Sequence, residues 1–373
     1  MGTRRKVFII ISKLEYSQGF AWLTDGLDKS KIDLTYILLN PGPSKFSDFL
    51  KSKNIKVINI SFKSKLDLPF ILFKLLMLFI KEKPKVVHAH LFDASLTAML
   101  AAKLAGVENR IYTRHHSTYH HVYHPHAIKY DRLINKCSTH IIAVSEVVKR
   151  VLMDREKVKG DKVSIIHHCI EENDFVNISD KRIQALKSKW NIQQQQKVIG
   201  VISRFTEWKG VQYIIDAFIE LWNNNKNLKL VLANANGDYK VELQMKLHQL
   251  PTVAYQEIEF ELDIAALYKC FDVFVHVPVD DHSEAFGQIY IEAMMASCAC
   301  VFTKSGIGNS ILQHEQNCLL VDYKNSKQIR NAIQRILDQP TLKQKLGQNA
   351  HKEVSENFHL SKMIDQHQAI YLA

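Results

Sequence analysis

Short apolar runs alternate with longer amphipathic stretches through the first half of the chain. Runs of β-branched and aliphatic residues predict strands at residues 7–11, 34–39, 57–60, 86–90, 111–113 and 140–144. Continuous apolar runs of this kind are typical of parallel strands, because helices cover both faces of such sheets. The pattern therefore predicts an α/β unit with a doubly wound parallel sheet.

The same alternation starts again after a polar stretch at residues 177–196. Strands are predicted at residues 198–203, 228–232, 273–276 and 299–302. A length of 373 residues also favours two domains over one, because single hydrophobic cores are usually smaller. We predict Rossmann-like domains at residues 1–172 and 173–360. The apolar positions of residues 361–373 predict a last helix that docks back on the first domain.

Two cations follow the first predicted strand of the second domain, in the segment SRFTEWKG at residues 203–210. Ligands of open parallel sheets bind beyond the carboxyl ends of the strands. There Arg204 can form paired hydrogen bonds with a diphosphate, and Lys209 can stabilise the negative charge of a leaving group. The alternative for either residue alone is an exposed loop cation without a ligand.

Two glutamates flank a glycine turn in the segment SEAFGQIYIEAMMASCA at residues 283–299. Gly287, after Phe286, allows a tight turn into a helix that is predicted to begin near Gln288. The unpaired N–H groups of a helix start suit a phosphate or a sugar oxygen. Glu284 can accept hydrogen bonds from two sugar hydroxyls, and Glu292 can do the same for a ribose. The alternative is an ordinary helix with acidic residues in and before it.

Taken together, RFTEWKGVQYIIDAF and EAFGQIYIEAM resemble the motifs of the family 4 glycosyltransferases. These are retaining enzymes with the GT-B fold, in which two Rossmann-like domains face each other across a cleft. The resemblance implies that the first domain binds the acceptor and that the second binds the nucleotide-sugar donor. VVHAHLFD, YTRHH and IIAVSEVVKRVL extend the resemblance over nearly the whole chain. The resemblance implies that Arg204 and Lys209 hold the donor diphosphate, that Glu284 and the backbone of residues 286–288 hold the transferred sugar, and that Glu292 holds the ribose.

The resemblance also implies a first-domain histidine near the reacting carbon, a place that His115 matches best, with His116 a close rival. A neutral histidine there can hydrogen-bond a sugar hydroxyl or orient the acceptor. Gly19 matches the glycine by which the family's first loop approaches the donor phosphates, although Phe20 replaces the usual second glycine. We therefore predict His115 and Glu284 as catalytic and the other residues as substrate-binding.

The implied reaction is retaining transfer of a sugar from a nucleotide-diphosphate sugar to a glycan, a lipid-linked acceptor or another cell-envelope acceptor. Attack on the same face of the sugar is implied, with the leaving phosphate oxygen taking the acceptor proton. No cofactor is predicted, and no metal ion, because Arg204 and Lys209 supply the positive charge. A nucleotide-sugar epimerase or another GT-B-like enzyme is the alternative.

The formal charge of +11 lies in the first half of the chain. Residues 1–175 contain 28 lysines and arginines against 17 acidic residues, whereas the remaining residues balance. This asymmetry predicts an anionic partner for the first domain, such as a membrane surface or an acidic acceptor, with a merely solvated basic surface as the alternative. No nucleic-acid-binding motif is present. Six cysteines without a CxxC pair, and an apolar run too short for a signal peptide, predict a cytoplasmic protein, including the inner face of the membrane.

Two first-domain segments admit more than one interpretation. In residues 61–85, SFKSKLDLPFILFKLLMLFIKEKPK, the uninterrupted apolar runs are too short to span a bilayer, and the segment predicts either a membrane-surface helix or a buried one. We favour the buried helix because apolar residues surround most of it. Six histidines between His115 and His126 suggest metal binding, but their spacing fits no standard site and no carboxylate completes a ligand set. We therefore predict a polar loop that faces the acceptor, and no metal site.

Overall fold

The computed structural model of the protein describes residues 4–373. The chain forms two compact units, one of residues 4–169 with Leu360–Ala373 and one of Ile170–His359. The predicted domain limits are 172/173 and 360/361, and the first three residues of the predicted domain lie outside the described part. The assignment of one domain to the acceptor and one to the donor stays a prediction.

The strands are β1 Arg5–Ser12, β2 Ile32–Asn40, β3 Lys56–Ser61, β4 Val86–His90, β5 Asn109–Arg114, β6 His140–Ala143, β7 Val163–Ile165, β8 Lys197–Ile202, β9 Leu228–Ala233, β10 Tyr255–Ile258, β11 Val273–His276, β12 Cys300–Phe302 and β13 Leu319–Leu320. The α-helices are α1 Gln18–Gly26, α2 Lys45–Ser52, α3 Leu68–Glu82, α4 Phe92–Leu104, α5 Tyr119–Tyr123, α6 Ile128–Cys137, α7 Glu146–Arg150, α8 Asn173–Val176, α9 Asp180–Lys189, α10 Val211–Asn224, α11 Lys240–Leu247, α12 Ile264–Lys269, α13 Gln288–Met295, α14 Gly308–Ile311, α15 Ser326–Asp338, α16 Pro340–Asn357 and α17 Leu360–Leu372.

The first unit is built on a seven-stranded parallel sheet of order β3-β2-β1-β4-β5-β6-β7. All six predicted strands are confirmed, and β7 is an additional edge strand. Helix α17 belongs to this unit: the Arg5 guanidinium donates to the Leu372 carbonyl at 2.8 Å, and the Tyr371 hydroxyl lies 2.6 Å from Nδ1 of His88. The strand order reverses between β1 and β4, which places a crevice at their carboxyl ends.

The second unit repeats the plan with a six-stranded parallel sheet of order β10-β9-β8-β11-β12-β13. The four predicted strands are confirmed, and so is the helix that begins at Gln288. The strand order reverses between β8 and β11. Two doubly wound α/β units are therefore confirmed, and the crevice of the second lies beyond β8 and β11.

Helix α3, within the segment 61–85, is buried on one face and exposed on the opposite face. The favoured prediction that this helix is buried is therefore wrong for the exposed face. The buried face packs on the unit through Ile71, Leu75 and Phe79. Four apolar side chains on the opposite face are exposed, namely Phe70, Phe73, Met77 and Ile80. The sequence does not separate the two faces, because both are apolar. Among residues 4–373 there is no helix that combines the length and the apolar character needed to cross a bilayer.

Candidate active site

The loop after β8 carries both predicted cations and is held in place by a glycine. Residues Glu207–Lys209 form a 3₁₀ turn, and Gly210 follows with φ 75°. A Cβ atom at Gly210 would lie 1.9 Å from the carbonyl oxygen of Val277, one residue beyond β11. Only glycine therefore lets this loop lie directly against the end of β11, and that contact brings Lys209 to the crevice.

Glu284 is the centre of the site in the second unit. Its carboxylate Oε1 lies 2.5 Å from Nζ of Lys209 and 3.0 Å from Nε2 of His276. Its backbone N–H donates to Oγ of Ser305 at 3.0 Å. Within residues 4–373 no hydrogen bond is donated to the second oxygen, Oε2, and that atom is available to a ligand hydroxyl.

The surroundings of Glu284 keep it ionised. Burial alone would raise the pKa of its carboxyl, but the charge of Lys209 and the hydrogen bond from His276 outweigh burial and lower the pKa to about 2. Burial lowers the pKa of His276, although the contact with Glu284 opposes the shift. A neutral His276 must donate through Nε2, since a carboxylate only accepts, and its buried Nδ1 has no hydrogen-bond partner among residues 4–373. The pair of Lys209 and Glu284 therefore offers a cation beside an ionised acceptor.

The turn into α13 has the predicted geometry. Gly287 has φ 84°, and a Cβ atom there would lie 2.7 Å from the Tyr290 ring. The Phe286 side chain is buried, and its carbonyl accepts a hydrogen bond from the Ile307 N–H at 2.7 Å. Phe286 can therefore contribute only main-chain groups to a ligand, and Gln288 begins the helix.

Glu292 and Arg204 lie apart from the Lys209–Glu284 pair. Glu292 is half-buried on α13, and the Tyr268 hydroxyl donates to its Oε2 at 3.1 Å. Burial raises the pKa of Glu292 to about 7, although the hydrogen bond from Tyr268 opposes the shift. Arg204 is exposed, and its guanidinium has no hydrogen bond or ion pair within the part of the chain that the structure describes. The structure thus joins two of the four predicted donor residues directly and leaves the other two without mutual contact.

His276 and Ser305 are not among the predicted residues, yet both hold Glu284. His276 is the last residue of the buried strand β11, and a polar side chain at the carboxyl end of a parallel strand is a signal for a site. Ser305 carries no such signal, because it follows β12 in an ordinary loop. Its role depends on the fold of residues 303–307 against Glu284.

In the first unit, His115 follows β5 and is held by two other histidines. Its Nε2 lies 3.1 Å from Nδ1 of His90, and its ring stacks on His168 with centroids 5.6 Å apart. Burial, with smaller contributions from His168 and His116, lowers the pKa of His115 to about 3. His90 Nε2 is buried and has no hydrogen-bond partner in the described part of the chain, so the proton of His90 belongs on Nδ1, which donates to His115. His115 is then neutral and carries its own proton on Nδ1, ready to donate to a ligand.

His116, its rival, belongs to a buried charge network instead. Its Nε2 lies 3.6 Å from Oδ1 of Asp131, and Asp131 also contacts Nδ1 of His120 at 2.6 Å and Nη1 of Arg114 at 2.9 Å. Glu156 pairs with Arg114 at 2.5 Å. Burial lowers the pKa of His116 to about 4, with the Arg114 charge as the next cause. This network engages Nε2 of His116, and the buried Nδ1 of His116 has no hydrogen-bond partner among residues 4–373.

The prediction that no carboxylate joins the histidines is wrong, because α6 brings Asp131 to them. Ligand atoms of His116, His120 and Asp131 lie within 4.8 Å of one another, a spacing that a metal ion could bridge. However, the Arg114 guanidinium already contacts this carboxylate, and a second cation there would be repelled. The expectation of no metal site stays a prediction, and the Arg114 charge supports it.

A pocket of about 240 Å³ opens beside these histidines, entirely within the first unit. Its walls are Leu91, Phe92, Ser95, Tyr112, Thr113, Arg114, His115, His116, Tyr119, His120, Asp131 and Ile134. The wall combines apolar rings with histidine nitrogens, as pockets that bind small polar molecules do.

Gly19 lies in the first turn of α1. Among residues 4–373, a Cβ atom added there would have one neighbour, Oγ of Ser17 at 3.8 Å, so no contact with these residues requires a glycine. Close approach of a ligand stays the predicted reason for it. Phe20 packs its ring edge on His90 with centroids 4.7 Å apart, which helps to fix His90 beside His115.

Comparison with known proteins covers almost the whole chain. The family model described as Glycosyltransferase Family 4 matches residues 22–174, and the model described as Glycosyl transferases group 1 matches residues 182–353. The chain belongs to the family 4 glycosyltransferases. An uncharacterized glycosyltransferase of Methanocaldococcus jannaschii is 28% identical to this glycosyltransferase, over 62% of this chain and 59% of that relative. The alignment therefore spans less than two thirds of that relative.

Two further relatives of this glycosyltransferase align over longer stretches. The capsular polysaccharide biosynthesis glycosyltransferase CapM of Staphylococcus aureus is 25% identical over 80% of both chains. The UDP-Gal:alpha-D-GlcNAc-diphosphoundecaprenol alpha-1,3-galactosyltransferase of Escherichia coli is 22% identical over 93% of this chain and 90% of that one. The solved structure of Anabaena HepE with UDP and glucose superimposes with a TM-score of 0.82 at 18% identity, covering 98% and 99% of the two chains. The glycosyltransferase therefore has the GT-B fold.

Proposed function

We propose that this glycosyltransferase moves a sugar from a nucleotide-diphosphate sugar to a glycan, a lipid-linked acceptor or another cell-envelope acceptor, with retention of the anomeric configuration. The observation that carries the proposal is the contact between Lys209 and Glu284 at the crevice of the second unit. A cation beside an ionised sugar-binding carboxylate suits a substrate that joins a sugar to a phosphate.

Each donor residue has a distinct task in this proposal. Arg204, exposed at the end of β8, forms paired hydrogen bonds with the diphosphate, and Lys209 contacts its sugar-side phosphate. Glu284 accepts hydroxyl hydrogen bonds from the sugar through Oε2, and the main chain at Gly287 contacts the same sugar. Glu292 binds the ribose. Support for such a donor comes from the similar fold of HepE, which was solved with UDP and glucose.

In the reaction, the bond between the anomeric carbon and the diphosphate oxygen breaks, and a bond to the acceptor oxygen forms on the same face. The acceptor proton moves to the leaving phosphate oxygen. Lys209 and Arg204 stabilise the charge that develops on the diphosphate, and the neutral His115 donates from Nδ1 to a hydroxyl of the sugar or the acceptor. These groups supply the charge stabilisation without a metal ion.

The acceptor side of the proposal is supported by the relatives and by the first unit. CapM is named for capsular polysaccharide biosynthesis, and the Escherichia coli relative for a diphosphoundecaprenol acceptor. The histidine pocket of the first unit suits a polar acceptor group. All six cysteines are free and buried, which fits a reducing compartment such as the cytoplasm and the inner face of its membrane.

The proposal is tested by incubating the protein with a panel of nucleotide sugars, with and without glycan and lipid-linked acceptors. Transfer that gives the same anomeric configuration as the donor, read by NMR, is expected. Epimerised donor without transfer would establish the alternative, a nucleotide-sugar epimerase, and an inverted linkage would overturn retention. Addition of EDTA should leave the rate unchanged; a loss that Mg²⁺ restores would show that a metal ion is needed.

A further inference from the structure

Helix α3 exposes an apolar face to solvent within the described part of the first unit. Phe70 and Phe73 are 58% and 60% exposed, and Met77 and Ile80 are about half exposed. These positions recur every three or four residues, so they form one continuous stripe along the helix. Leu66, 90% exposed in the preceding 3₁₀ turn Lys65–Asp67, extends the stripe at its N-terminal end.

Positive charge surrounds this apolar stripe. Lys74 and Lys81 are seven residues apart and therefore lie on the same side of α3, beside the stripe. The Lys74 ammonium lies 4.5 Å from the centroid of the Phe70 ring. Four more lysines cluster at the two ends of the helix: Lys63, Lys65, Lys83 and Lys85. Of the six, Lys85 alone has an ion pair within residues 4–373, with Glu108 at 3.5 Å.

The two acidic residues of this segment are occupied elsewhere. Asp67 accepts hydrogen bonds from the backbone N–H groups of Lys63 and Ser64. Glu82 pairs with Lys6 at 3.2 Å and with Lys56 at 3.5 Å. Neither carboxylate neutralises Lys74 or Lys81, so the stripe meets solvent beside uncompensated positive charge.

We propose that this face of α3, with its flanking lysines, docks on an anionic lipid bilayer. Aromatic and aliphatic side chains enter the boundary between headgroups and acyl chains, and the lysines contact anionic headgroups. A second copy of the chain fits less well, because a symmetric contact through this face would bring the two lysine rows together. The biological use of this docking rests on the proposed function, because docking presents the enzyme to a lipid-linked acceptor.

The test is flotation of the full-length protein with vesicles of phosphatidylcholine alone or of equal parts phosphatidylcholine and phosphatidylglycerol. The Phe70→Ser/Phe73→Ser variant removes the centre of the stripe, and the Lys74→Glu/Lys81→Glu variant reverses the charge beside it. Wild-type protein should float with the anionic vesicles only, and both variants should lose roughly tenfold or more of that binding.

Matched controls lie on the second unit. Val241→Ser/Met245→Ser removes two side chains of α11 that are 67% and 61% exposed, and Lys327→Glu/Lys345→Glu reverses two exposed lysines. Both controls should float like wild type. Equal losses in the controls, undiminished flotation of the α3 variants, or equal binding to neutral vesicles would each overturn the proposal.

Two further readouts separate the competing explanations. The proposal would be overturned if wild type formed a dimer in solution, the Phe70→Ser/Phe73→Ser variant were a monomer, and neither protein bound vesicles. That result would assign the exposed face of α3 to a contact with a second copy. Thermal stabilisation by a nucleotide sugar should be the same in wild type and both α3 variants. If the α3 variants lose vesicle binding but keep this thermal stabilisation, the effect is located on α3. If the nucleotide sugar does not stabilise wild type, the proposed donor site is contradicted instead.

Discussion

Nζ of Lys209 lies 2.5 Å from Oε1 of Glu284, although the two residues are 75 positions apart in the chain. The side chains are nearly buried, with 14% and 9% exposed. A buried carboxylate that loses its cation retains an uncompensated charge, and for this reason the two residues depend on each other for stability.

Lys209→Ala should destabilise the protein by about 3 kcal/mol, because Glu284 stays buried without its cation. Glu284→Gln should cost less, and the double variant should cost less than the sum of the single variants. Both single variants should lower kcat by about 10²-fold or more, since in the proposed function each residue contacts the reacting sugar phosphate. Urea unfolding and initial transfer rates measure these effects. Near-normal turnover in either well-folded variant would contradict the assigned roles.

Glu292→Gln should change how stability depends on pH. The folded-state pKa of Glu292 is about 7, above the ordinary pKa of 4.5 of a glutamate carboxyl in water. Between these two pKa values the folded state binds more protons than the unfolded state. The contribution of Glu292 to stability is therefore complete below about pH 4.5 and is lost as the pH rises through 7. Glu292→Gln has no carboxyl that can ionise, so its stability does not fall in this way. The melting temperature of the variant minus that of wild type should therefore be larger at pH 8 than at pH 5. A difference that does not vary with pH would show that the carboxyl is not buried in this way.

His115→Ala should lower kcat by about 10- to 100-fold with little effect on donor binding, because the proposed function assigns His115 one hydrogen bond to the sugar or the acceptor. His90 sets the proton position on His115 through the 3.1 Å contact between Nδ1 and Nε2. His90→Asn can keep a donor near the Nδ1 position, whereas His90→Leu removes it. Activity should therefore be largely retained in the first variant and reduced in the second. Equal activities of the two His90 variants, at equal stability, would show that the contact does not orient His115.

Gly210→Ala should lower the free energy of unfolding by about 2–4 kcal/mol, because a Cβ atom there meets the Val277 carbonyl in a left-handed backbone conformation. Gly42→Ala is the matched control, since its Cβ position has no neighbouring atom within 4 Å and its φ is unremarkable. The control should unfold within 1 kcal/mol of wild type. Urea denaturation of both variants measures the difference, and equal stabilities would mean that the loop does not lie against β11.

The strands that the sequence fails to predict share one position in the fold. β7, β10 and β13 each lie at an edge of a sheet, with a single neighbouring strand. Residues of β7 and β10 are mostly half-buried, and β13 has only two residues. An edge strand does not need a continuous apolar run, because one of its sides is not covered by another strand. The central strands are covered by helices on both faces and therefore consist of continuous apolar runs, which the sequence pattern reveals.

Local sequence alone determined the two doubly wound units and the helix that begins at Gln288. Apolar periodicity and a glycine before a helix encode these features within short stretches of chain. Only the tertiary structure decided which partners the predicted site residues meet: His276 and Ser305 hold Glu284, Asp131 engages His116 rather than His115, and one face of α3 stays exposed. Such contacts depend on strand order and on packing between distant segments, and no local pattern records them.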